Sequence, residues 1–275
     1  MTIKNLSKRL LSLTTLAFLL SACLQPGPAS IDSEPRPIQI LEASPSPTEE
    51  PSPTPTPTKA PEALVNDGEK ALFVGDYDTA FDIFQQSLNQ NPDPNTAAQA
   101  HFGVGQALYN KEEYGSALDH LRQTAVGDNT ILAARANYLI GQIYTELQRY
   151  DEALVAFQTY LDLRPGVIDS NVYEQRGDIY NTLGDYAKAI ESFETAFLSD
   201  AENAMSPLVT KIAVAYENNG NVDTALSLYK DIYNNSDNDY TKAEMDLRIG
   251  SIYLDREMPD EAYTYFQDAV NSFPY

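Results

Sequence analysis

From Leu64 to the end of the chain, apolar residues recur in a fixed order. Alanine stands at Ala80, Ala117, Ala153, Ala189, Ala225 and Ala262, so the repeat length is 36 or 37 residues throughout. A second column of small residues, Gly68, Gly105, Gly141, Gly177, Ala213 and Gly250, keeps the same period and stays in register with the first. Four residues beyond each alanine comes a large apolar side chain, in order Phe84, Leu121, Phe157, Phe193, Tyr229 and Phe266. A period in this range marks stacked supersecondary units, none of which buries its apolar stripe alone.

Within a unit, stripes such as Ile140, Gly141 and Tyr144, or Ile249, Gly250 and Tyr253, have the spacing of one helix face. A second helix opens on Tyr77, Tyr114, Tyr150 and Tyr186, with Val222 and Pro259 in that place in the last two units. Turns such as Val74-Gly75-Asp76 and Leu183-Gly184-Asp185 join the two, glycine accepting the left-handed conformation a helix end requires. Pro92, Pro165 and Pro274 close units one, three and six. The pattern predicts an all-α array of six helical hairpins over residues 62–275. In its order of large apolar, apolar, small and aromatic, followed by Ala, Phe and Pro, it resembles the tetratricopeptide repeat (TPR) family. The resemblance implies a right-handed superhelical solenoid with the first helices lining its concave face. The family's usual period is 34, so each unit here holds two or three extra residues, expected in longer connections or an extended first helix.

The periodicity stops upstream of residue 62. Residues 1–22 have the parts of a secretory signal: Lys4, Lys8 and Arg9, then an apolar run from Leu10 to Leu20, then small residues. Leu20-Ser21-Ala22-Cys23 resembles the lipobox of bacterial lipoproteins, which implies acylation of Cys23 and cleavage just before it. Cys23 is the only cysteine, so no intramolecular disulfide supports the fold. Residues 23–61 are rich in Pro, Ser, Thr and Glu, a composition suited to an extended tether reaching on the order of 100 Å. The expected location is the cell envelope, with the protein lipid-anchored on the extracytoplasmic side of a membrane.

Acids outnumber bases 40 to 18, for a formal charge of −22. That sign disfavours nucleic acid and electrostatic docking on anionic lipid, leaving the lipid anchor as the only membrane contact. Catalysis has little to draw on: the chain holds two histidines and no glycine-rich phosphate loop. His101 occupies a large-apolar position and reads as packing, and His120 has no second histidine at ligand spacing along its helix. Asp237-Asn238-Asp239 with Glu244 lacks the glycine of a calcium loop and reads as solvated. Gly127-Asp128-Asn129-Thr130 reads as a helix stop and an N-cap. No enzyme activity, cofactor or metal is expected.

The face opposite the core stripe of the first helices carries Phe102, Gln106 and Tyr109 in unit two and Tyr138, Gln142 and Thr145 in unit three. Units four and five add Glu174, Asp178 and Asn181, then Thr210, Val214 and Glu217. Aromatics exposed on such a face mark binding anchors. None of these positions is basic, whereas the resemblance includes chaperone-binding members that hold a C-terminal carboxylate with basic residues here. The expected partner is therefore a protein or peptide with basic and apolar residues. The final hairpin, near Tyr263 and Phe266, offers a second surface, for self-association. The combined reading is a lipid-anchored scaffold for protein–protein interaction in envelope complex assembly. The resemblance supplies precedents in lipoproteins that assist outer-membrane protein insertion or assembly of the type IV pilus secretin. The alternatives are a subunit of an unrecognised enzyme and a solute-binding lipoprotein, the latter disfavoured because no strand pattern supports α/β lobes.

Overall fold

A computed structural model of the chain describes residues 58–163, 168–199 and 207–272. The expected signal segment, Cys23, the expected tether up to residue 57, and the prolines 165 and 274 lie outside the described residues. Among those described, twelve helices and no strand form six hairpins. The pairs are α1 (Pro61–Phe73) with α2 (Tyr77–Leu88), α3 (Pro94–Asn110) with α4 (Tyr114–Ala125), and α5 (Thr130–Glu146) with α6 (Tyr150–Leu163). They continue with α7 (Asp169–Thr182) and α8 (Tyr186–Ser199), α9 (Pro207–Asn218) and α10 (Val222–Asn235), then α11 (Asp239–Asp255) and α12 (Pro259–Asn271). Every second helix begins on the residue that the pattern marked. The extra residues per unit are partly in the first helices: α3, α5 and α11 each run 17 residues, against 12 for α9.

The two small columns have different tasks. The alanines of the second helices lie at the hairpin contact, fully or almost fully buried. The glycines of the first helices receive the large side chain of their own hairpin. A Cβ built on Gly141 would stand 2.6 Å from the Phe157 ring, on Gly177 2.4 Å from Phe193, and on Gly105 2.6 Å from Leu121. No real Cβ stands that close, so only glycine lets the helices approach while the ring stays between them. In unit five Ala213 faces Tyr229, whose hydroxyl donates to Glu217 at 2.6 Å.

All six hairpin turns end the first helix in the same way. One residue takes the left-handed conformation, and the next amide reaches back to a carbonyl five residues earlier: Asp76 to Ala71, Glu113 to Leu108, Arg149 to Tyr144, Asp185 to Tyr180, Asn221 to Tyr216, and Met258 to Tyr253. Glycine fills the left-handed position in units one, four and five, as Gly75, Gly184 and Gly220. Glu112, Gln148 and Glu257 occupy it in the others, with φ of 61°, 56° and 59°. The polar loops resolve as helix starts: Asn129 accepts from the Leu132 amide, and Asn238 from those of Tyr240 and Thr241.

Neighbouring units stack through α2 on α3, α4 on α5, α8 on α9 and α10 on α11, and the first helices α1, α3 and α5 touch in series. One buried cluster runs from Val65 to Ile179, and two more continue it through α8–α9 and α9–α12. No described helix is long and apolar enough to cross a membrane.

Candidate functional site

The first helices present a continuous face, and the residues expected there divide into an apolar end and a polar end. At the apolar end a cleft of about 340 Å³ is lined by Phe102 and Gln106 of α3, Arg135, Tyr138 and Leu139 of α5, Tyr160 of α6, and Ile168. Beside it, a cleft of about 390 Å³ shares Phe102, Gln106 and Arg135, extends to Glu69, Leu72 and Phe73 of α1, and is more polar, with Gln99 also in its wall. Tyr138 lies between Phe157 and Tyr160, with ring centroids 6.1 and 5.9 Å away. Its hydroxyl donates to Asn171 at 2.7 Å and accepts from Gln142 at 3.2 Å and Gln175 at 3.0 Å. These bonds fix the ring as a wall of the cleft.

The aromatics are less exposed than the sequence suggested. Phe102 is only 6% accessible, because the Arg135 guanidinium lies over its ring, 4.5 Å from the centroid. Tyr109 is half-buried, leaning back towards Tyr114 with centroids 6.1 Å apart, and burial raises its hydroxyl pKa. It supports the face from the side.

None of the positions named on this face is basic, but the structure brings basic side chains up beside them. At the polar end Lys211 Nζ bridges Glu174 Oε1 at 2.8 Å and Asp178 Oδ2 at 2.6 Å. Burial pulls the ammonium's pKa down, but bonds to the two carboxylates outweigh this and leave it above its ordinary value. The acids expected to meet basic groups of a partner are thus already neutralised within the protein. Asn181 lies beyond them, in a weak bond of 3.4 Å from Asn218. On α11, Arg248 is likewise held by Glu244 at 3.0 Å. Arg135 differs: among the described residues no carboxylate stands within 4.0 Å of it, and its contact is the Phe102 ring. The signal for both missed cations was a matter of positions counted. Extending the unit-three stripe one turn before Tyr138 reaches Arg135, and in unit five Lys211 is the residue next to Thr210 on the stripe.

The two histidines, read separately as packing and as an isolated side chain, are brought together. His101 on α3 and His120 on α4 are half-buried, with Nδ1 atoms 3.0 Å apart and ring centroids 5.2 Å apart. His120 lacks a partner along its own helix and finds one across the hairpin.

Comparison with known proteins agrees with this architecture. Residues 170–203 match the tetratricopeptide repeat family model, and residues 74–160 match that of subunit 3 of the anaphase-promoting complex, cyclosome. A TPR repeat-containing protein of Methanocaldococcus jannaschii is 23% identical over 183 residues, covering 61% of this chain. The chain spans about a third of that relative's length, 31%. Among solved structures, YrrB, described as a TPR protein with an unusual peptide-binding site, superposes with a TM-score of 0.56 at 21% identity, over 70% of this chain and 92% of its own. PilF of Pseudomonas aeruginosa gives 0.54 at 21% identity, over 74% and 88%. MamA from Desulfovibrio magneticus gives 0.54 at 16%, over 66% and 96%. Residues 170–203 thus match a tetratricopeptide repeat, and the described chain folds as a solenoid of that type.

Proposed function

We propose that the protein is an extracytoplasmic scaffold, tethered to a membrane through a lipid on Cys23, whose groove holds an extended peptide segment with apolar side chains around one acidic group. The observation carrying the ligand chemistry is Arg135: an exposed guanidinium without a carboxylate partner among the described residues, shared by an apolar cleft and by a mixed one that Glu69 and Gln99 also line, in a chain of net charge −22. Guanidinium pairs with carboxylate in a bidentate geometry, and apolar side chains on either side of such a group would fill the clefts beside Phe102, Tyr138 and Leu139. Partner chemistry is thereby reversed from the sequence expectation, since Lys211 already satisfies Glu174 and Asp178. The anchor reading is supported by the sequence Leu20-Ser21-Ala22-Cys23 and the proline-rich stretch that follows.

Fluorescence anisotropy tests the groove, using peptides of the form apolar-acidic-apolar and their glutamine counterparts. Arg135→Gln is expected to weaken the acidic peptide about tenfold and leave the glutamine peptide unchanged, the size of one charge-assisted hydrogen bond. Tyr138→Ala should weaken both, by about 2 kcal/mol as for an anchor aromatic. Equal effects of Arg135→Gln on both peptides, or preference for a lysine peptide, would refute the acidic-ligand reading. Mass spectrometry of the mature N-terminus tests the anchor separately: an unmodified Cys23, or a start elsewhere, removes it.

A further inference from the structure

The glycine column that seats Leu121 against Gly105 also decides what happens one turn away. His101 precedes Gly105 by four residues and His120 precedes Leu121 by one, so the close approach of α3 and α4 presses the two imidazoles together. They are the only histidines in 275 residues. Their Nδ1 atoms, 3.0 Å apart, share one hydrogen, so one ring donates and the other accepts.

We infer that His101 and His120 form a two-nitrogen site for a divalent transition ion of the copper or nickel class. The bite supports that choice. Two nitrogens 3.0 Å apart, each about 2.0–2.1 Å from a metal, subtend about 95° at it. This is close to the right angle of a tetragonal site and narrower than a tetrahedron requires, so copper(II) and nickel(II) fit better than zinc. Among the described residues no group of three or more His, Cys, Asp or Glu stands ready to hold a metal, so water completes the coordination. Both rings are partly open to solvent, which gives the ion and its waters access.

Protonation favours the same result. Burial lowers the pKa of both histidines and so favours the neutral ring, the form that ligates. The facing charge of His120 lowers His101 further, while Asp119 partly offsets the effect at His120. On binding, the hydrogen between the rings moves from Nδ1 to Nε2 of the donor ring through solvent. Each ring then offers one Nδ1 lone pair and no net proton is released.

The test uses the full chain without a histidine tag, with Cys23→Ser to remove the one thiol, titrated with copper sulfate at pH 7.5. The expected result is one ion per chain, an electron paramagnetic resonance spectrum showing two coupled nitrogens, a melting temperature that rises with copper, and weaker binding of zinc. His120→Gln and His101→Gln should each weaken binding at least tenfold, and lowering the pH to 5 should release the ion. Binding that persists in both variants, or a spectrum with fewer than two imidazole nitrogens, overturns the assignment. If either variant fails to fold, carbethoxylation of the unsubstituted histidines decides: copper should slow it at least tenfold, and an unchanged rate counts against the site.

Discussion

Position 246 shows what one side chain costs in this repeat. The equivalent places in the first five units hold Leu64, His101, Asn137, Tyr173 and Val209, whereas the last holds Asp246, 2% accessible, with no hydrogen-bond partner for Oδ2 among the described residues. Burial, and then the charge of Asp268, raises its pKa to about 6. A carboxyl whose pKa rises on folding binds more protons in the folded chain, so stability falls as pH rises from about 4 to about 6. Asp246→Asn should therefore stabilise the protein by about 1 to 2 kcal/mol at pH 7.5 and by almost nothing at pH 4. Chemical unfolding at both pH values checks this, and an equal gain at both would mean that packing, not ionisation, is responsible. A second position tests backbone strain alone. Gln148 holds φ at 56° in a turn where units one, four and five use glycine, so Gln148→Gly should gain about 0.5 to 1 kcal/mol, relief of the left-handed conformation exceeding the added freedom of the unfolded chain.

At the scale of the hairpin, the glycine column should be the least tolerant feature. Gly141→Leu forces the Phe157 ring, 2.6 Å from the glycine's notional Cβ, out of its seat between two stacked neighbours. The expected loss is about 3 kcal/mol. Gly68→Leu displaces Phe84 at the end of the array, where only one neighbour is disturbed, and should cost less by thermal melting. Equal losses at both sites would speak against a nearest-neighbour solenoid. These columns explain why the fold was legible before any coordinates. A small residue paired with a large apolar one in every unit, glycine with phenylalanine in four of the six, is a constraint on helix approach, and the constraint repeats at a fixed period. The face was less legible because its cations lie off the stripe obtained by subtraction: Arg135 stands one turn before Tyr138, and Lys211 stands beside Thr210. The burial of Phe102 depends on Arg135 folding over it, and the pairing of His101 with His120 on the separation of two helices. Neither follows from spacing along one helix.

Across the whole molecule, the charge of −22 and Arg135, the one cation among the described residues that line the two clefts, act on a ligand at different distances. An acidic peptide is repelled by the field of the chain until it is within a few ångströms of Arg135, where direct pairing takes over. Raising salt from about 0.01 M to 0.15 M shortens the screening length from about 30 Å to about 8 Å. The distant repulsion is removed while the short contact is largely kept. The association rate of an acidic peptide should therefore rise several-fold with salt, the reverse of steered association between opposite charges, with a smaller change in dissociation. Arg135→Gln should speed dissociation about tenfold and preserve the salt dependence of association, since the two effects come from different charges. Stopped-flow measurement at the two salt concentrations separates them. If association instead slows as salt is added, the field at the groove mouth is positive, and more than Arg135 must be drawing the ligand in.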